Sequence, residues 1–317
     1  MAAHKPLNTT LTAGAVTGTA LGLITLAYAG ACYALYRNQR SLIFRPLPNI
    51  LGTPADAKLP YENAWIPAGE GEMLHSWWIP NADSQKTLLF CHGNYGNVSY
   101  NLERIQFHYN MGFSILAFDY RGYGQSISHA DPVPTEKTTC ADAEAAWNYL
   151  TTERGVAPED ITIMGHSMGG AVAINLASRH ADAGHLIVKS SFTTMQDAVL
   201  AKSIYRFFPV QQMLTEPFDS LSKVKDLRMP VLYVHGDRDA DLPAELSQRL
   251  YEASTEPKQL LIVEGADHNN ISTVAGDRYQ AAVQSFCLSP ASKVPNQARD
   301  SGKSPRGKSP RNQPACV

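Results

Sequence analysis

The sequence predicts an α/β protein with a mostly parallel central sheet flanked by helices. Three observations carry that class. Short apolar runs recur at 87–91, 113–118, 161–164, 230–234 and 259–263, each of strand length and bounded by turn residues. Each run leads into a polar, glycine-containing turn, the kind of segment that gathers at the carboxyl ends of parallel strands. Stretches with helical spacing separate several of these runs, so strand and helix alternate along the chain. With 317 residues, 44% hydrophobic and 18% charged, the chain has enough apolar content for one large core. A net charge of -2 gives no electrostatic basis for nucleic acid binding. The five cysteines, Cys32, Cys91, Cys140, Cys287 and Cys316, are odd in number and lack C-x-x-C spacing. That argues against a disulfide framework and against structural zinc.

The first element is a membrane-spanning helix. No side chain between Lys5 and Arg37 is charged, and 11–36 is largely apolar or small, long enough to cross a hydrocarbon core of ~30 Å as a tilted helix. Gly14, Gly18 and Gly22 recur at every fourth position, a face suited to close helix packing, although glycine is common in membrane helices anyway. The alternative is a cleaved signal peptide, since Ala27-Tyr28-Ala29 has the A-x-A form. The apolar run continues past that site, and Arg37 and Arg40 follow it, which suits a retained, single-pass anchor. Arg37, Arg40 and Arg45 lean the orientation towards a cytoplasmic domain. The expected organisation is a tail over 1–10, the anchor over 11–36, a linker over 37–58, a folded domain over 59–288 and a basic tail over 289–317.

Tyr61–Pro67 and Met73–Pro80 read as antiparallel strands around a turn at Gly69-Glu70-Gly71. His75, in the second of them, reads as a structural histidine. The run Thr87–Cys91 then ends in His92-Gly93-Asn94-Tyr95-Gly96-Asn97. Glycines directly after a strand let backbone N–H groups turn inward, as an oxyanion hole requires; an ordinary Gly/Asn turn would carry the same residues. Asn94 or Tyr95 is the candidate donor here, and His92 reads as a support for the loop. The sequons Asn97-Val98-Ser99 and Asn270-Ile271-Ser272 fall beside the candidate site and read as chance matches. Helical spacing covers 102–109, a strand 113–118, and a polar turn Asp119–Ser126 in which Asp119 and Arg121 are expected to pair; 141–150 reads as an amphipathic helix.

Ile161–Met164 is apolar, G-x-S-x-G follows at Gly165, Ser167 and Gly169, and an alanine-rich helical run begins at Ala171. Strand, tight turn and helix in that order are the context of a nucleophile elbow. The turn is so sharp that its flanking residues must lack side chains. It lifts the serine Oγ clear of the sheet, and the helix N-terminus beneath favours developing negative charge. Ser167 is therefore the candidate nucleophile, and the N–H of Met168 the other oxyanion donor. The bland reading is a glycine-rich turn with a bystander serine.

Together, HGNYGN at 92–97, DYRGYGQS at 119–126 and GHSMGG at 165–170 resemble the α/β-hydrolase superfamily, and most closely its membrane-anchored, abhydrolase-domain serine hydrolases. The resemblance covers roughly 59–288. It implies the α/β-hydrolase fold and a Ser–Asp–His triad in that chain order. Three aspartates follow the strand 230–234: Asp237, Asp239 and Asp241. The family spacing from Gly236 and before Pro243 implies Asp239, with Asp237 the alternative. His268 stands in the loop after the last strand and is the implied base. Such a triad acts through an acyl-enzyme, with no metal and no organic cofactor. The segment 191–223 lies between strands and is rich in apolar residues. It reads either as a short lid over an acyl pocket or as a helix packed on the core. The expected partners are an acyl ester or thioester substrate and membrane lipid, with no nucleic acid. A serine peptidase and a non-catalytic anchored scaffold are the alternatives; oligomeric state is not readable. The tail from Ala291 on, with Lys, Arg, Ser and Pro, cannot bury enough apolar surface to fold.

Overall fold

The computed structural model describes residues 9–288 except Glu70, Ile127 and 130–132, with side chains described from Gly18 onward. The expected basic tail over 289–317, residues 1–8 and Cys316 lie outside the described residues.

Eight strands form one sheet: β1 Glu62–Pro67, β2 Met73–Ile79, β3 Thr87–Cys91, β4 Ser114–Phe118, β5 Ile161–His166, β6 His185–Lys189, β7 Val231–Gly236 and β8 Lys258–Val263. Their spatial order is β1-β2-β4-β3-β5-β6-β7-β8. β2 runs antiparallel to both β1 and β4, and every other pairing is parallel. Every residue of β3, β4, β5 and β7 is buried, because helices cover both faces. That is why these strands read as unbroken apolar runs rather than alternating ones. Leu89 and Cys91 of β3 contribute to one core cluster, Leu88 and Phe90 to the other, the two-residue alternation of a strand between two layers.

On one face lie α3, Glu136–Asn148, and α4, Met168–Ala177; on the other lie α2, Leu102–Asn110, and α7, Gly276–Val283. Thr135 caps α3, its hydroxyl accepting from the Thr138 N–H. Between β6 and β7 the chain leaves the sheet through α5, Met195–Ala201, and two short turns, Ser203–Phe207 and Val210–Met213. The helix α6, Glu245–Ala253, precedes β8.

The N-terminal helix α1 runs from Thr9 to Ile43, and its segment Gly18–Ile43 is long and apolar enough to cross a membrane. The stretch expected as a linker from 37 starts as the end of this helix and is then held against the domain. Phe44 is buried beside Phe218, and Arg45–Pro46 pair in parallel with Tyr95–Gly96. Cys32, Cys91, Cys140 and Cys287 are free thiols.

Candidate active site

Ser167 sits between β5 and α4 with φ 56 and ψ -123, a conformation that costs a non-glycine residue about 1–3 kcal/mol and persists only where its surroundings impose it. They do so here. The Ser167 N–H donates to the Lys189 carbonyl at 2.9 Å, and its own carbonyl accepts from the Gly170 N–H and the Ser191 hydroxyl, each at 2.9 Å. The two flanking glycines answer to close contacts. A Cβ on Gly165 would collide with the Gly169 carbonyl, and one on Gly169 with the carbonyls of Cys91 and His92. The turn thus packs backbone against backbone at the end of β3. Met168 opens α4, in the first turn, where N–H groups have no intrahelical acceptor.

His268 lies in the loop after β8, and its Nδ1 is 2.6 Å from Oδ2 of Asp239 in the loop after β7. The other Asp239 oxygen accepts from the N–H groups of Asp241, at 2.9 Å, and Leu242, at 2.8 Å. The three competing aspartates separate in space: Asp237 accepts from the Gly265 N–H at 2.6 Å, and Asp241 pairs with Lys202 at 2.8 Å. Burial alone would raise the Asp239 carboxyl, but hydrogen bonds from His235 and His268 and the Leu242 amide hold it well below the ordinary carboxylate range. An ionised acceptor at Nδ1 leaves the proton on that nitrogen and keeps Nε2 basic. Ser167 and His268 border one cavity. Among the described residues no hydrogen bond joins their side chains, and such contacts are often long in a free enzyme.

Asn94 and Tyr95 border the same cavity. The Asn94 carbonyl accepts from the Arg45 N–H at 2.8 Å and the Tyr123 hydroxyl at 2.9 Å, while its side-chain amide donates to the Ile43 carbonyl at 2.7 Å. The loop is held from below by Asp119, which is fully buried. Its carboxylate accepts from the Val98 N–H at 2.6 Å and faces His92 at 3.4 Å and His75 at 3.6 Å. Burial works to raise Asp119, yet these neighbours hold it below its usual range. The expected Asp119–Arg121 pair is corrected here: Arg121 bonds to Asp142 of α3 at 2.6 Å and 2.8 Å, because Asp119 is turned inward beneath the loop. His92 supports the loop as expected, with Nδ1 2.7 Å from the Gly93 carbonyl. Asn97 is buried and its amide donates to the carbonyls of Leu47 and Asn49 at 2.8 Å each, so this sequon is a structural pin.

The cavity measures about 740 Å³, within the range of small-molecule sites, ~300–1,000 Å³. Its roof is the segment between β6 and β7, including Met195, Val199, Phe208, Val210 and Leu214; a further wall is the end of α1, from Leu35 to Ile43. Asp239, Asp241 and His268 bring three ligand-type atoms within 4.8 Å of one another. Both Asp239 oxygens already accept N–H bonds and Asp241 is paired with Lys202. The donors that surround that carboxylate suit an acid–base pair and oppose a cation.

Three contributors are not legible in the motifs. His166, the variable residue before the serine, holds the His268 carbonyl at 3.0 Å. His235 bonds to Asp239 at 3.1 Å and to Ser247 at 2.7 Å; its place next to Gly236 is the one available signal. The last turns of α1 reach the cavity by a contact between distant parts of the chain, with Gln39 donating to the Met213 carbonyl at 3.0 Å.

A family model described as serine aminopeptidase, S33, matches residues 82–222. An uncharacterized protein of Mycobacterium tuberculosis is 30% identical over 276 residues, covering 84% of this chain and 93% of its own. Alpha/beta hydrolase domain-containing protein 17B of Homo sapiens is 33% identical over 198 residues, covering 61% of this chain and 62% of that protein. Among solved structures, an esterase of Pyrococcus furiosus superposes with a TM-score of 0.63 at 22% identity, over 77% of this chain and 96% of its own. An alpha-beta hydrolase of Vibrio vulnificus gives a TM-score of 0.63 at 22% identity, over 82% and 93%. At such identities the structural likeness speaks for the fold.

Proposed function

The chain belongs to the α/β-hydrolase superfamily, and from that premise we propose that it is a single-span, membrane-anchored serine hydrolase cleaving esters or thioesters of hydrophobic acyl chains. The observation that carries the reading is the 2.6 Å Asp239–His268 bond beside an apolar cavity that Ser167 also borders. His268 Nε2 takes the Ser167 proton as Oγ attacks the acyl carbonyl carbon. The oxyanion is received by the N–H of Met168 and that of Asn94 or Tyr95. As the carbonyl re-forms, the bond to the leaving oxygen or sulfur breaks, and the imidazolium supplies its proton. Water then attacks the acyl-serine, giving a proton to His268. Collapse releases the acid and returns a proton to Ser167. Asp239 keeps the imidazole in its tautomer and stabilises the imidazolium.

Retention of α1 is supported by its ties to the roof of the cavity. A leader cut at Ala29 would remove Tyr28, whose hydroxyl donates to the Phe207 carbonyl at 2.9 Å. The matching family model names aminopeptidases, and an aminopeptidase needs an anion to receive the substrate's free amine. Among the described residues the only carboxylate bordering the cavity is Asp241, already paired with Lys202. Ester or thioester chemistry is therefore preferred. The test is fluorophosphonate labelling of the membrane-embedded protein. Wild type is expected to label, and Ser167→Ala and His268→Ala to lose it. Labelling that survives Ser167→Ala means another nucleophile; a folded wild type that never labels means a scaffold.

A further inference from the structure

We infer that the acyl chain reaches Ser167 from inside the bilayer, passing between the end of α1 and the lid segment Ser203–Leu214, so that the substrate is an acyl ester of a bilayer-resident lipid. The inference rests on the hydrolase reading above and adds the route and the physical form of the substrate.

The lid does not stop at the end of the anchor but reaches back along it. The Tyr28 ring stacks on Phe208 with centroids 5.8 Å apart and planes 5° from parallel, and its hydroxyl bonds to Phe207. At 1.5 Å per residue, Tyr28 lies ~22 Å along the helix before Ile43, and ~12 Å before Tyr36, where the apolar run ends. A helix that spans a bilayer with this run therefore carries Ser203–Phe208 at the depth of the acyl chains.

The lid's own chemistry agrees with that depth. Its outer residues there are Ile204, 61% exposed, and Phe207, 74% exposed; Phe208, next in sequence, turns inward and lines the cavity. Adjacent large apolar side chains left bare are a liability in water and an ordinary surface in lipid. Part of the backbone there is also kept in bonds, as hydrocarbon favours. The N–H groups of Tyr205 and Phe208 donate within the turn, and the Phe207 carbonyl is satisfied by Tyr28. Arg206 turns its Nε to the Leu200 carbonyl at 3.1 Å, so the guanidinium is hydrogen-bonded rather than bare.

The polar level is marked on the helix itself. One turn beyond Tyr36, the Gln39 amide is clamped to the lid by a bond to the Met213 carbonyl at 3.0 Å and one from the Thr215 N–H at 2.8 Å, and Arg40 bonds to the Pro134 carbonyl at 3.1 Å. Below this clamp the wall is Leu35 and Tyr36 with Phe208 opposite; above it are Leu42, Ile43 and the serine. An acyl chain entering from the leaflet would thus follow a largely apolar wall, past the one amide of Gln39 whose polar atoms are already bonded to the lid.

The test uses the full chain in dioleoyl phosphatidylcholine vesicles. The substrates are a long-chain fluorogenic acylglycerol held in the bilayer, a short water-soluble ester, and a soluble acylated peptide. Ile204→Ser with Phe207→Ser is expected to lower kcat/KM for the acylglycerol by roughly tenfold while short-ester hydrolysis and fluorophosphonate labelling stay unchanged. Equal rates on the acylglycerol, or a wild type that cleaves only the soluble acylated peptide, overturn the inference and leave the hydrolase intact. Loss of labelling in wild type removes the hydrolase reading itself. Independently of activity, Phe207→Trp is expected to gain fluorescence that acyl-brominated lipid quenches, and an unquenched signal places the lid in water and ends the proposal.

Discussion

Nε2 of His166 lies 3.0 Å from the carbonyl oxygen of His268, so the residue before Ser167 holds the backbone of the proposed base. Burial first, and then the nearby Arg104 charge, push the His166 imidazole well below its usual pKa. A neutral ring with its proton on Nε2 is the tautomer that can donate to a carbonyl. His166→Phe keeps the ring and removes the donor. The expected result is about a fivefold fall in kcat, the rate equivalent of one hydrogen bond's net ~1 kcal/mol, with KM little changed. A fall in KM-dependent terms alone would mean that the bond does not position the base.

Gly169→Ala tests the packing of the elbow. The added methyl would meet the carbonyls of Cys91 and His92, neither of which can retreat without breaking the end of β3. The expected outcome is a loss of several kcal/mol in stability together with loss of fluorophosphonate labelling. Gly276→Ala, where a Cβ meets nothing within 4 Å, is expected to label like wild type. Denaturant unfolding of both variants in the same detergent decides it.

The sheet was legible for a physical reason. β3, β4, β5 and β7 are covered on both faces, which makes their sequences unbroken apolar runs, and the elbow must carry glycines wherever backbones touch. Among three aspartates it was the family resemblance that implied Asp239, and the contact it makes with His268 follows from where the loops after β7 and β8 meet. Contacts between remote segments left no local trace. Nothing near Arg121 announces that Asp142, on a helix a turn and a loop away, takes the guanidinium in place of Asp119. Nothing in 37–43 announces that these residues continue the helix and form a cavity wall, because the partner Met213 is supplied by a segment 174 residues later.

Asp239→Asn removes an ionised partner that the imidazole uses for tautomer and charge. The expected loss in kcat is on the order of 10⁴-fold, read as slowed acylation in a single-turnover assay. The same carboxyl is linked to stability. Its folded pKa is held below the unfolded value of about 3.9, so its contribution is fully present above that value and is lost as pH falls through the folded one. Wild type should therefore outlast Asp239→Asn in thermal unfolding at pH 7, and the gap should close on acidification below about pH 4. A gap independent of pH would show that the lost packing, not the charge, accounts for it.

Lys189 shares that direction with pH, but its charge costs stability instead of supplying it. It is fully buried at the end of β6, with Nζ 3.3 Å from the Ser272 hydroxyl and 5.4 Å from the centroid of the Tyr279 ring. Burial, and then repulsion from Arg104, bring its pKa down to about 7. The unfolded chain keeps this proton up to about pH 10.4. Below pH 7 both states are charged and the burial penalty is constant, on the order of a few kcal/mol. Between the two pKa values the unfolded state binds more protons than the folded one, so stability rises with pH through that window. Lys189→Met keeps the chain length and discards the charge. It is expected to melt roughly 5 °C or more above wild type at pH 6, with the difference shrinking as the pH is raised towards 10. Thermal unfolding of the two proteins at pH 6, 8 and 10 checks it. A variant that is less stable than wild type at pH 6 would mean that the ammonium, through Ser272 and Tyr279, supports the His268 loop by more than its burial costs.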